Sequence, residues 1–246
     1  MTKVLNGKTA IITGAGHGLG RIMVDQFLEA GAVVIAVDLN AAGLAQLRAA
    51  HPEVAIVEAD VSNAADADRI IAAAEGRLDV LVNNAAVLDR LALVDEISEE
   101  QWRRVLDINL TGPYLLCNRA VPRMLAQGGG VIINVASVAG LRGGRAGAAY
   151  TASKHGLIGL SENIAATLGK DGIRCIPLCP GGMATGMPRG GELSERGSSR
   201  ISGRDREHPH SGGPENVASV AVFLASDAAA GINGSPVVAD GGAVAY

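Results

Sequence analysis

Tyr150 and Lys154 stand four residues apart in a stretch, 149–168, whose spacing predicts a helix, so both side chains leave one face of it. A phenol ordinarily ionises near pH 10, too high for efficient proton exchange at neutrality. An ammonium close by lowers that value. The pair can therefore give a proton to a reacting oxygen or take one from it. The spacing alone recurs by chance, and its weight comes from two further residues. Ser137 follows a predicted strand, 131–135, in Val135-Ala136-Ser137-Val138-Ala139-Gly140, where its hydroxyl can hydrogen-bond the same oxygen. Asn109 lies within a long predicted helix, in Asp107-Ile108-Asn109-Leu110-Thr111-Gly112. Asparagine is unfavourable inside a helix, so its presence asks for a reason outside the helix.

A second constellation lies near the N-terminus. The apolar run 9–13 ends in Thr13-Gly14-Ala15-Gly16-His17-Gly18-Leu19-Gly20. Glycines there let the chain turn sharply and let its backbone approach a pyrophosphate. The following helix, 19–30, offers free N–H groups and the positive end of its dipole. The spacing G-x-G-x-x-G does not fit, because its third glycine would fall on Leu19 or on Arg21. The spacing T-G-x-x-x-G-x-G does fit, through Gly14, Gly18 and Gly20. Asp38 closes the second predicted strand, 33–37. A carboxylate there accepts hydrogen bonds from an adenosine ribose and repels a 2′-phosphate. Its neighbours bring no compensating charge: Leu39 is apolar, and His17 is mostly neutral at pH 7. NAD is therefore expected rather than NADP.

In order and spacing, the glycine turn and Asn109, Ser137, Tyr150 and Lys154 resemble the short-chain dehydrogenase/reductase family, in its short single-domain branch. The longer branch would want a glycine where His17 stands. The resemblance covers nearly the whole chain. It implies an enzyme that interconverts a secondary alcohol and a ketone by hydride transfer. Tyr150 would be general acid in reduction and general base in oxidation, its pKa lowered by Lys154 and by the positive nicotinamide ring. Ser137 would hold the substrate oxygen, Lys154 would also bind the nicotinamide ribose, and Asn109 would hold a water linking Lys154 to solvent. Asp60 and Val61 would lie near the adenine. Asn83-Asn84-Ala85-Ala86 resembles the family's N-N-A-G segment beside the cofactor, with Ala86 in place of glycine, so Asn83 and Ala85 are expected to bind there. Pro180-Gly181-Gly182-Met183-Ala184-Thr185 resembles its P-G-x-x-x-T element, in which Pro180, Gly181, Met183 and Thr185 would meet the nicotinamide carboxamide. Asp240-Gly241-Gly242 matches the closing segment. Similar proteins often form tetramers through the helices around Asn109 and Tyr150, so a homo-oligomer, tetramer or dimer, is expected. No metal is implied.

The elements that must position these residues follow one rhythm. Strands are predicted at 9–13, 33–37, 54–57, 80–82, 131–135, 173–178 and 236–239. Helices lie between them at 19–30, 41–50, 64–75, 99–126, 149–168 and 215–225. The helix 99–126 carries a weak point at Gly112 and Pro113. This alternation implies an α/β fold, a doubly wound parallel sheet (Rossmann-like) of about seven strands with helices on both faces. No linker divides residues 1–246, so one domain is expected. Hydrophobic residues are 48% of the 246 and aromatic residues only 2%, so aliphatic side chains must fill the core. The net charge of −4 with no basic stripe argues against nucleic acid. Three cysteines, Cys117, Cys175 and Cys179, lie in apolar stretches and read as buried free thiols of a reducing compartment. With no signal peptide and no run long enough to span a membrane, a cytoplasmic protein is expected.

Segments 86–93, 140–149 and 183–213 should wall the substrate site, the last as a mobile lid. Its arginines, with Arg142 and Arg145, could clamp an anionic substrate. The interspersed acids favour a solvated, charge-balanced loop instead. Two other readings compete with an NAD-dependent dehydrogenase: an NAD(H)-sensing protein without turnover, and an NADP-dependent 3-oxoacyl-type reductase. A sugar-nucleotide epimerase would need a separate substrate domain, for which the residues after Thr185 leave no room.

Overall fold

The computed structural model describes residues 3–183, 186–187, 191–201 and 213–245. Seven strands form one sheet: β1 (Thr9–Thr13), β2 (Val33–Asp38), β3 (Ala55–Glu58), β4 (Val80–Asn83), β5 (Gly130–Val135), β6 (Ile173–Pro180) and β7 (Val237–Ala239). Their order is β3-β2-β1-β4-β5-β6-β7, and every neighbouring pair is parallel. The order reverses between β1 and β4. Loops leaving the two strands diverge there and open a crevice at their carboxyl ends.

The strands are aliphatic, and alternate side chains serve opposite faces. On one face Ile12, Val34, Ala36, Val82 and Ile133 pack with Met23 and Phe27 of α1 (Gly18–Glu29), Leu44 and Leu47 of α2 (Ala41–Ala50), and Leu224 of α8 (Pro214–Ala225). On the other, Ile11, Ile35, Val37, Leu81 and Ile132 pack with Ile70 of α3 (Ala64–Ala72), Leu116 and Met124 of α5 (Gly112–Ala126), and Ile164 of α6 (Ala148–Leu168). Phe27 is the single aromatic residue in these two clusters. Asn63 caps α3, as its position before the helix suggests, accepting from the N–H groups of Ala65 and Asp66.

Two features depart from the sequence reading. The predicted helix 99–126 consists of α4 (Glu99–Leu106), a π-helical turn (Asp107–Thr111) and α5. Pro113 has no N–H to return to the carbonyl of Asn109, and the backbone widens over that turn. Within 183–213, for which the sequence reading placed a lid but no helix, residues Glu195–Ile201 form a helix, α7, with Ile201 buried. Its sequence carries one large apolar residue and no helical periodicity, so only docking defines it. Among the described residues no helix is long and apolar enough to cross a membrane.

Leu81, on β4 at the middle of the sheet, is completely buried. Leu81→Ala should lower the free energy of unfolding by about 3 kcal/mol through lost burial and a cavity. Urea unfolding with an unchanged m-value measures this, and a loss under about 1 kcal/mol would place the core elsewhere.

Candidate active site

Along the carboxyl ends of the strands runs a cleft of about 940 Å³. At one end lies the glycine turn. Gly14 has φ 67°, and a Cβ on Gly20 would stand 2.0 Å from the Gly14 carbonyl oxygen, so the turn closes only without side chains there. Thr13 ties the turn to β4: its Oγ1 donates to the Val82 carbonyl and accepts from the N–H groups of Asn84 and Ala85, both at 3.0 Å. Asp38 is held just as tightly. Its two oxygens accept from Gly16 N and Asn40 N, each at 2.8 Å, and its side chain is 9% exposed. A carboxylate oxygen has lone pairs for a second donor, so Asp38 can still receive ribose hydroxyls. His17 Nδ1 is 3.8 Å from Asp38 Oδ2 and buried, with no hydrogen-bond partner among the described residues.

At the other end stand Ser137, Tyr150 and Lys154. Ser137 lies in the turn after β5. Tyr150 and Lys154 come from successive turns of α6. The Lys154 Nζ lies 5.5 Å from the centre of the Tyr150 ring and donates to the Val135 carbonyl at 2.8 Å. The Ser137 side chain stands near the Tyr150 hydroxyl and favours its ionised form. Burial pushes the Tyr150 phenol up to about 12; the nearby Ser137 side chain opposes the rise and the Asp89 charge adds to it. This corrects the expectation for the chain's own groups. Burial lowers Lys154 as well, to about 8, and the burial of the phenol itself outweighs the groups that favour its ionised form.

Gly14, His17, Gly18, Leu19, Asp38, Leu39, Asp60, Val61, Ala85, Pro180, Gly181 and Met183 line the cleft with the three residues above. Gly20 sits behind it as packing. Asn83 is also behind it: its amide donates to Asn134 Oδ1 at 2.8 Å, and Asn84 faces the cleft instead. The alternation of a strand turns one asparagine inward and the next outward, which the N-N pair alone does not assign. Asn109 is completely buried. Its side chain accepts from Val87 N at 2.9 Å and donates to Val87 O at 3.0 Å and to Ser153 Oγ at 3.2 Å. It thus joins the π-helical turn, the segment after β4 and α6, next to Lys154 in sequence. Thr185 lies outside the described residues. Arg145 lines the cleft and donates to the Ala243 carbonyl at 2.8 Å, whereas Arg142 is exposed and turned away. Sequence reasoning missed the outer wall on α4 and its π-helical turn, from Arg104 and Ile108. Their spacing of four, on the helix that carries Asn109, is the pattern that could have found them.

These residues fit a dinucleotide. The glycine turn, the buried unpaired His17 nitrogen and a fixed carboxylate at the end of β2 form one continuous wall. Among the described residues no His, Cys, Asp and Glu cluster could hold a metal ion.

The unfolded chain keeps the Lys154 proton up to its ordinary 10.5, the folded protein only up to about 8. Between those values the unfolded state binds more protons, so this residue's contribution to stability rises with pH. Wild type should therefore gain on a Lys154→Met variant between about pH 7 and pH 10, by up to about 3 kcal/mol. Urea unfolding of both proteins at the two pH values measures the gain; a constant difference would show that the ammonium carries no burial penalty.

A family model described as enoyl-(acyl carrier protein) reductase matches residues 14–244. The chain is 41% identical to 3beta-hydroxysteroid dehydrogenase 2 of Eggerthella lenta, over 99% of this chain and 97% of that one. It is also 41% identical to D-threitol dehydrogenase of Mycolicibacterium smegmatis, over 97% and 93%. Among solved structures, levodione reductase superposes with a TM-score of 0.87 at 31% identity, over 98% of this chain and 99% of that one. The 3-ketoacyl-(acyl-carrier-protein) reductase of Brucella melitensis complexed with NADH superposes with a TM-score of 0.86 at 30% identity, over 97% and 99%. With a family model matching nearly the whole chain, the same overall fold and relatives of nearly equal length, the chain belongs to the short-chain dehydrogenase/reductase family and is an oxidoreductase.

Proposed function

We propose that this oxidoreductase interconverts a secondary alcohol and its ketone with NAD, Tyr150 exchanging the proton. One observation carries the reading. Tyr150, with Ser137 near its hydroxyl and the Lys154 ammonium beside its ring, lines the same cleft as the carboxylate of Asp38. Nicotinamide, when bound, supplies the hydride acceptor or donor. The Asp38 carboxylate receives the adenosine ribose and opposes a 2′-phosphate. Gly14, Gly18 and the α1 N-terminus hold the pyrophosphate. Leu39, Asp60, Val61 and Ala85 wall the cleft on the adenosine side, and Pro180, Gly181 and Met183 on the nicotinamide side. Ser137 holds the substrate oxygen in place, and Tyr150 passes a proton to it or from it. The chain's own groups keep the phenol protonated at neutral pH, the state that donates to a ketone oxygen. Alcohol oxidation needs the opposite state and should quicken as the pH rises above neutrality.

The substrate end of the cleft is walled by Leu88, Leu91, Val138, Met183 and Met187, which favours an apolar substrate over a polyol. Arg145 lies among them but is engaged by the Ala243 carbonyl, so an anionic clamp is not favoured. The lid reading extends to 183–213, a span that includes α7. Three buried free thiols suit a reducing cytoplasm. Exposed Trp102, Tyr114 and Leu125 on α4 and α5 suit assembly into a dimer or tetramer.

Purified protein should turn over NAD with an apolar cyclic secondary alcohol, and Tyr150→Phe should abolish turnover while leaving NADH binding within about twofold. Turnover persisting in Tyr150→Phe would remove Tyr150 from the proton path. Asp38→Ser should raise the KM for NAD about tenfold or more, the cost of a charged hydrogen bond, and improve use of NADP. An unchanged ratio of kcat/KM for the two cofactors would mean that Asp38 does not choose between them.

A further inference from the structure

Helix α6 carries Tyr150 and Lys154, and its N-terminus has no cap of its own. The residue before it is Gly147, which has no side chain to offer, yet the first N–H groups of a helix need acceptors. The acceptor comes from another segment. Asp89 Oδ2 receives the Tyr150 backbone N–H at 2.9 Å, and the Ala149 N–H also faces the carboxylate. Asp89 is 0% exposed, and its Oδ1 has no hydrogen-bond partner among the described residues. Burial raises its carboxyl above the usual range, and the Tyr150 N–H opposes that rise. Gly147 makes the room: a Cβ there would stand 2.4 Å from Asp89 Oδ1. The carboxylate therefore lies against the positive end of the helix.

Asp89 also begins one wall of the substrate end. Arg90 and Leu91 follow it with φ of 59° and 56°, a left-handed conformation costly for residues with side chains. Such strain persists only where the surroundings hold it. Here the Ala92 N–H returns to the Asp89 carbonyl at 3.0 Å, and the Ala148 N–H donates to the Ala92 carbonyl at 3.0 Å. The strained turn is thus bonded at both ends to the beginning of α6, and its Leu91 lines the cleft.

We propose that Asp89 is a positioning residue: by capping the first turn of α6 from within the protein, it sets Tyr150 and the Arg90–Leu91 wall in register with each other. The inference rests on the reading of Tyr150 as the proton-exchanging group. The groups around the Tyr150 side chain are Lys154 from α6, Ser137 from the turn after β5 and Asp89 from the segment after β4, with the Cys179 thiol of β6 beside Lys154. Of these, the Asp89 charge acts with burial to hold the phenol up. Removing that charge while keeping an acceptor should bring the phenol down and let alcohol oxidation begin at lower pH.

The test compares Asp89→Ala, Asp89→Asn and Gly147→Ala with wild type, using NAD and the best alcohol of the panel. Asp89→Ala should lose kcat about 30-fold with the KM for NAD within about twofold. Its Tyr150 amide should exchange with deuterium about tenfold faster or more. Asp89→Asn should recover most of both losses, and its rate against pH for oxidation should move down by about 0.5 pH unit or more. Gly147→Ala, which leaves the carboxylate in the chain but displaces it, should resemble Asp89→Ala. Unchanged kcat, pH dependence and amide exchange in folded Asp89→Ala would overturn the proposal. If the Asp89 variants do not fold, Gly147→Ala decides: wild-type kcat and amide protection there would overturn it equally. If Tyr150→Phe retains turnover, the proton-exchange reading has failed, and the amide exchange of Asp89→Ala still reports whether Asp89 holds the helix.

Discussion

Lys154 carries an ammonium to a place where it is 2% exposed, and its hydrogen bond there goes to the Val135 carbonyl. Leaving water is costly for a charge, and a single neutral acceptor does not offset it. The arrangement persists because the rest of α6 is docked irrespective of this side chain. Leu157, Ile158 and Ile164 of the helix are buried. Gly140 lies so close to α6 that a Cβ there would stand 2.7 Å from the Lys154 carbonyl. Apolar packing along the helix holds a polar group where solvent would not leave it. The same packing makes the neighbouring phenol reluctant to ionise, so the two groups with the largest shifts in the cleft share one cause.

The other half of the cleft depends on the sheet's switch of direction. β1 and β4 are neighbours, and their continuations part company at Thr13 and Asn83. A threonine hydroxyl spans the parting with bonds to Val82, Asn84 and Ala85. Behind it, Asn83 bonds Asn134, and Asn134 bonds Ser161 of α6 at 2.8 Å. This buried line of polar side chains runs from β4 through β5 to the helix that carries Tyr150. Buried polar groups bonded to one another admit few alternative packings, so the line keeps the two ends of the cleft in fixed relation.

Much of this was legible in the sequence because the causes are local. Alternating aliphatic runs and helical spacing follow from periodicity, and all seven strands and the long helices fall where that periodicity puts them. The glycine turn could be read because its spacing reflects a steric demand at Gly14 and Gly20. The shared face of Tyr150 and Lys154 follows from the helix itself. Cys117, Cys175 and Cys179 are free and buried, as apolar neighbours imply.

What tertiary structure alone decided has a different origin. Whether Asn83 or Asn84 meets the cleft depends on which face of β4 is covered. Helix α7 exists by docking rather than by its own pattern. The sequence could not show the direction of the Tyr150 shift, because burial is a property of the assembled protein and outweighs the groups that favour the ionised phenol. Nor could it show that Asp89, remote from Tyr150 in the chain, supplies the acceptor that Gly147 lacks. Local sterics and periodicity are written residue by residue; desolvation and long-range hydrogen bonds arise only once the chain has closed on itself.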